Sequence, residues 1–260
     1  MKYLFIILLT LSYHSKTMSQ DHKIQVQCDS ITGLCDIPDF EDNNKTIAWN
    51  DDEELFYIGD PMCSWCWGIS PQINALQCYA NQEHIPFNLI MGGLRPGGGE
   101  AWDTAFKRFL EHHWQQVHEK SGQPFSYELF EKDEFNYDTE PACRAVITAR
   151  SLAPEKTLAF YELVQHYFYT KSKDPKQVDF YKVICETLDI DFQDFSDQFT
   201  SESMKLATQA DFTKSRELGV RGFPSIIYRH KDQLYNIASG YTEFEDLKAA
   251  ILKLKAKNED

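Results

Sequence analysis

Basic residues are scarce in this chain: 26 lysines and arginines stand against 40 aspartates and glutamates, a formal net charge of −14. No basic stripe interrupts that excess, which argues against nucleic acid as a partner. The plain reading of the excess is a soluble, self-repelling surface. Long apolar runs are missing as well. "MKYLFIILLTL" stops at Leu11, short of the about 20 apolar residues a membrane-crossing helix needs, and no later run is longer and apolar enough. Cysteine is sparse: there are seven, at positions 28, 35, 63, 66, 78, 143 and 185. An odd number cannot pair completely within one chain, and this length and spacing exclude a small disulfide-framework protein. No tandem repeat or low-complexity segment is present.

Core-forming residues are plentiful. An apolar content of 42%, with 14% aromatic, supports a packed domain and argues against disorder. The length of 260 residues suits one large domain, or a small domain carrying an insertion. Residues 1–19 have the proportions of a secretory signal, with Thr17 and Ser19 small enough for the −3 and −1 positions of a cleavage site. That reading slightly favours export to the periplasm. Met18 is an alternative start, which leaves a cytoplasmic protein. Residues 20–53 form a polar lead-in that holds Cys28 and Cys35. Its Thr32-Gly33 step allows a sharp turn, so the two cysteines can meet across a short loop.

The pattern then becomes regular. "ELFYIG", residues 54–59, reads as a buried strand closed by Gly59, Asp60 and Pro61. From Cys63 to about Gln82 the pattern is helical, with Trp67, Ile73, Leu76 and Tyr79 on one side. Pro71 should bend or restart that helix, since proline has no N–H to donate. "PFNLIMGGL", residues 86–94, is a second strand, parallel to the first through a right-handed crossover. These elements make a strand-helix-strand unit over residues 54–98. Residues 99–205 carry helical periods only, with Pro141 where helix starts tolerate proline. Residues 206–257 read as helix, strand, strand, helix. The first helix closes at Gly219, "RGFPSIIYRH" and "LYNIASG" form an antiparallel hairpin, and the last helix aligns Phe244, Leu247, Ile251 and Leu254. The sum is an α/β domain: a four-stranded mixed sheet interrupted by a large all-helical insertion.

Cys63 and Cys66 sit where the first strand hands over to a helix. Free N–H groups and a positive dipole end stabilise a thiolate there, and such placements lower a cysteine pKa from about 8.5 to roughly 3.5–7.5. Cys66 falls on the same helical face, in reach of a disulfide, and should lie deeper. Cys63 is then the attacking sulfur and Cys66 the resolving one. Phe223-Pro224 opens the third strand. Cis bonds are nearly confined to X–Pro and fill only about 5–6% of those, so the dipeptide alone favours trans. Cys78, Cys143 and Cys185 read as small buried hydrophobes.

"CSWC" after a strand, the strand order above and a proline opening the third strand resemble the thioredoxin superfamily. The helical insertion is similar to that of its DsbA-like branch. Within it, "GDPMCSWCWGISP", "MGGLRPG" and "DTEPACRAV" look like the FrnE-type oxidoreductases, over roughly residues 54–257. The resemblance implies a thioredoxin-like fold and thiol–disulfide exchange with protein thiols and disulfides. It also implies a redox-recycling partner and no cofactor. It matches Cys63 to an exposed nucleophile, Cys66 to the resolving thiol and Pro224 to a cis proline beside them. Phe223 would offer its backbone to an extended substrate segment, by strand addition. Trp65 and Trp67 would add apolar surface or pack in the core. Arg95 and Arg144 would place positive charge near Cys63 or form ion pairs of their own. Cys28 and Cys35 form a second thiol pair outside the resemblance: a redox relay, a loop staple or unpaired thiols.

Two other chemistries compete. A structural zinc site wants four ligands, often two close pairs, and Cys28 and Cys35 make a poor second pair. His112, His113 and His118 read as surface residues, so no metal site is expected. The DsbA-like architecture is also similar to that of glutathione-dependent isomerases acting on 2-hydroxychromene-2-carboxylate. Those generally lack a redox pair, and an intact Cys63-Ser64-Trp65-Cys66 argues against that chemistry.

Overall fold

The computed structural model describes residues 52–257 and the backbone of the short strand β1 (Cys35–Asp36). Residues 1–19 and Cys28 lie outside the described residues, and with them the export signal and the second thiol pair as a pair.

β2 (Glu53–Gly59) is the central strand, and Leu55, Phe56, Tyr57 and Ile58 are all fully buried. A continuous apolar run rather than an alternating one is what a strand covered on both faces requires. The helix expected after it is broken, as its proline demands. α1 (Ser64–Gly68) ends at Ile69, and α2 (Ser70–Gln82) restarts with Pro71 in its first turn. There the missing N–H leaves no intrahelical bond unmade. β3 (Phe87–Met91) pairs parallel to β2, with Ile58 opposite Ile90. The crossover through α2 makes that parallel pairing possible.

The helical insertion follows. α3 (Thr104–Ser121) is capped by the Asp103 carboxylate, which accepts from Phe106 N at 2.9 Å, and ends at Gly122 with φ of 75°. α4 (Glu140–Leu152) and α5 (Thr157–Lys171) come next, then α6 (Lys182–Thr187) and α7 (Phe192–Phe199). Trp114 of α3, almost fully buried, anchors this layer against Phe125, Phe130, Phe168 and Tyr169. α1 packs on α3 and α5, so the insertion touches the cysteine-bearing turn.

α8 (Glu202–Glu217) leads to β4 (Gly222–Phe223), then β5 (Ser225–His230) and β6 (Gln233–Ser239). α9 (Phe244–Lys257) closes the chain's described part. β5 lies antiparallel to β2, with Tyr57 opposite Ile226 and Ile58 opposite Ser225, and β6 lies antiparallel to β5. The sheet order is β3-β2-β5-β6, a four-stranded mixed sheet. α9 packs on α2, β5 and β6, while α8 packs on β3 and α4. Beside this sheet, β1 pairs antiparallel with β4, placing Cys35 opposite Phe223 and Asp36 opposite Gly222.

Two sequence readings need correction. Cys78 is exposed, not a buried hydrophobe. Leu76 and Tyr79 take the inner face of α2, and a residue two places from Leu76 points about 200° away from it, at 3.6 residues per turn. His113 is buried, its Nδ1 on Phe109 O at 2.8 Å, so it is not a surface histidine. α7 falls within the stretch read as helical, but its own bounds are not marked there: the spacing Phe195 to Phe199 is too short to stand out, and its start depends on an Asp191 cap.

Candidate active site

The site is built on the turn between β2 and α1. Asp60 is fully buried at its base. One carboxylate oxygen, Oδ1, accepts from Met62 N at 2.8 Å; the other, Oδ2, accepts from Leu94 N at 2.7 Å and from the Cys143 thiol at 3.3 Å. Burial pushes the Asp60 pKa up, and these backbone donors oppose the shift. The main chain of Asp60 is also engaged: its carbonyl accepts from Cys63 N at 3.1 Å and from Tyr161 OH at 3.2 Å. Tyr137 OH donates to Met62 O at 2.9 Å. The turn is thereby held from the sheet, from the loop after β3 and from the helical insertion.

Cys63 occupies the N-cap of α1 with extended backbone (φ −86°, ψ 117°), and its side chain makes no capping bond. Its Sγ points to Phe223 O at 3.7 Å. Cys66 lies one helical turn on, within α1. Neither cysteine has exposed surface. The exposed nucleophile that the resemblance implies is therefore covered in this conformation, and depth does not separate the two sulfurs. Burial first, and then the hydrogen bond and charge of Cys63, push the Cys66 thiol well above its ordinary range. Cys66 is accordingly a neutral thiol near pH 7.

The Phe223–Pro224 peptide bond is cis and lies beside Cys63. The Phe223 ring lies against Gly92, where an added Cβ would fall 1.9 Å from it. That contact explains why position 92 carries no side chain; at Gly93, with φ of 73°, an added Cβ would meet the Phe212 ring instead. Trp65 is buried at 3% exposure, and its indole N–H finds no acceptor among the described residues. Trp67 is a packing residue: it stacks on Tyr169 at 6.2 Å and donates to Pro124 O at 3.0 Å. Arg95 pairs with Glu100 and covers the Phe106 ring, and Arg144 pairs with Glu140 and lies over Phe199. Both arginines thus take the ion-pair role. Among the described residues, no group of three or more His, Cys, Asp or Glu side chains is placed to hold a metal ion, and no helix is long and apolar enough to cross a membrane.

Sequence reasoning missed Asp60, Cys143 and the tyrosines. Asp60 was legible only as a turn residue before proline, and Cys143 only as an apolar filler.

A recess of about 510 Å³ opens beside Trp67, lined by Ser70, Asn74, Gln123, Glu162 and His166. Burial pushes the Glu162 carboxyl up to about 7 against a hydrogen bond from Asn74. The folded state then holds this proton more tightly than the unfolded chain. The stability so gained is complete below the ordinary carboxylate range and is lost as pH rises through about 7. Glu162→Gln, neutral throughout, should gain on the parent by about 1–3 kcal/mol between roughly pH 4 and pH 8, at 1.36 kcal/mol per unit. Urea midpoints at the two pH values check this, and an unchanged gap would refute it.

A parallel β2-β3 pair, an antiparallel β5-β6 hairpin, a cysteine pair at the first helix and a cis proline opening β5 define a thioredoxin-like protein. The α3–α7 insertion gives it the DsbA-like form. Residues 56–248 match the family model described as Thioredoxin, and the chain belongs to that family. A crystal structure from Nitrosomonas europaea, of a candidate protein disulfide isomerase, is 31% identical. It covers 80% of this chain and 99% of its own, with a TM-score of 0.71. The cytosolic disulfide reductase DsbM from Pseudomonas aeruginosa is 20% identical over 78% of this chain and 98% of its own, with a TM-score of 0.63. Among curated proteins, the ClpXP adapter protein SpxH of Shouchella clausii is 22% identical over 81% of this chain and 68% of its own. Fold, cysteine pair and family place the chain among the DsbA-like thiol–disulfide oxidoreductases.

Proposed function

We propose that the chain exchanges disulfides with protein substrates, with Cys63 attacking and Cys66 resolving. The observation that carries this reading is the asymmetry of the pair. Burial and the neighbouring Cys63 hold Cys66 as a neutral thiol, and a proton donor one turn from a charged sulfur favours its thiolate. Cys63 is therefore the better nucleophile. Once a mixed disulfide forms on Cys63, Cys66 is one turn away to displace it.

Substrate binding follows from the same corner. Phe223, just before the cis Pro224, offers its backbone to an extended peptide, and the unpaired Trp65 indole N–H supplies a donor for a peptide carbonyl. The isomerase reading loses ground because both cysteines of the pair are present, one helical turn apart.

A transfer experiment tests the proposal. The oxidised chain, freed of oxidant, is mixed with reduced, unfolded ribonuclease and digested without reductant. The Cys63–Cys66 linkage should disappear as disulfides appear in ribonuclease. A linkage that stays in place while ribonuclease remains reduced would refute it.

A further inference from the structure

The recess beside Trp67 holds groups that no step of thiol–disulfide exchange uses. It encloses about 510 Å³ between the start of α2, the loop at Gln123 and the middle of α5. Trp67, Pro71, Ala159 and Leu163 give it apolar walls, and among the described residues no lysine or arginine lines it. Its polar groups have acceptor capacity to spare. Gln123 spends its side-chain N–H groups on Trp67 O, at 3.2 Å, and on Ser70 Oγ, at 2.7 Å, which leaves the amide oxygen for another donor. Ser70 Oγ donates its own proton to Trp67 O at 2.9 Å, so it too can only accept further. Glu162 lines the same recess, yet its Oε1 is closed off from water and accepts from no described residue. A buried acceptor in that state is unsatisfied, and a donor entering the recess completes it.

We propose that this recess binds an alkylammonium ion, whose nitrogen pairs with the Glu162 carboxylate and donates to the Gln123 amide oxygen while its alkyl stem lies along Trp67 and Leu163. An ammonium group brings three donors and no acceptor, the complement of this acceptor set. A guanidinium fits less well. Its planar fork is best met by both oxygens of one carboxylate, and Asn74 of α2 already acts on the Glu162 carboxyl. The net charge of −14 favours cations at the surface as a whole. The ion comes from a free amine or from a lysine side chain of another polypeptide, since both carry the same nitrogen. Binding is linked to protons. Burial raises the Glu162 carboxyl to about 7, so in acid the entering ion must expel a proton. His166 of α5 is the other titratable group on the recess, held below its ordinary range by burial and then by Lys171. Among the described residues, α1, α2 and the Gln123 loop place none there. The ionised fraction of such a carboxyl rises about tenfold between roughly pH 6 and pH 8, and affinity should rise with it.

The test titrates the full chain calorimetrically with butylammonium chloride, and with butan-1-ol as the neutral analogue of the same shape. Butylammonium should bind and butan-1-ol should not. Glu162→Gln, which should fold at least as well as the parent, is expected to weaken butylammonium about tenfold at alkaline pH, the order of one hydrogen bond between charged groups. It should also flatten the pH dependence, whereas His166→Gln should keep it. A parent that binds neither compound, that binds both equally, or whose affinity Glu162→Gln leaves unchanged overturns the proposal. Two further ligands separate the sources of the ion. Tighter capture of Nα-acetyl-lysine N-methylamide than of 1,5-diaminopentane assigns it to a polypeptide lysine, and the reverse order assigns it to a free amine. None of these readouts involves Cys63 or Cys66, so their failure leaves the exchange chemistry standing.

Discussion

Cys63→Ser is expected to lower insulin reduction by at least a factor on the order of a thousand, because it removes the one sulfur that both attacks and is attacked. Serine is close in size, so the buried turn should survive, and circular dichroism of the variant checks that it does. Cys66→Ser should fail differently. Cys63 then still attacks a substrate disulfide, but no second sulfur releases it, and mixed disulfides accumulate on non-reducing gels. The contrast follows from the one-turn separation of the two cysteines and from the neutral Cys66 thiol. A purely structural pair would give two variants with the same phenotype. Parent-like insulin reduction by both would end the assignment.

Much of this arrangement was legible in the residues. The continuous run Leu55–Ile58 reports a strand covered on both faces, and the two glycines after Met91 mark the close approach of two rings, Phe223 at Gly92 and Phe212 at Gly93. The cysteine pair and the Phe223-Pro224 step were legible because chemistry restricts which residues can stand there. What stayed hidden depends on contacts between distant segments. Asp60 and Leu94 are 34 residues apart, and Cys143 reaches Asp60 across 83. No local period encodes such a meeting. The same holds for Cys35, whose backbone pairs with Phe223 in a distant segment. The exposed Cys63 implied by the resemblance failed for a related reason, since burial is a property of everything packed around a residue.

Asp60→Ala is expected to destabilise the fold by about 2–5 kcal/mol, since it leaves two buried backbone N–H groups without acceptors at about 1–3 kcal/mol each. Those donors belong to Met62 and Leu94, so the change also unties the cysteine turn from the loop after β3. A contrary effect exists. Burial raises the Asp60 pKa, so the folded state binds this proton more tightly than the unfolded chain. The stability from that shift is present at acid pH and lost as pH rises through the raised value, and removing the carboxyl relieves it. The lost hydrogen bonds should win, because a second acceptor for either N–H would have to enter a site with no exposed surface. Asp60→Asn separates the two effects. It keeps one acceptor oxygen, sets an amide against the other donor and abolishes the titration. Its urea midpoint should fall between parent and Ala, with a flatter pH profile than the parent. Exchange rate should follow stability only in part, because the Asp60 main chain still holds Cys63 N and Tyr161 OH in the Asn variant. An Ala variant as stable as the parent would show that the turn is held by those main-chain bonds alone.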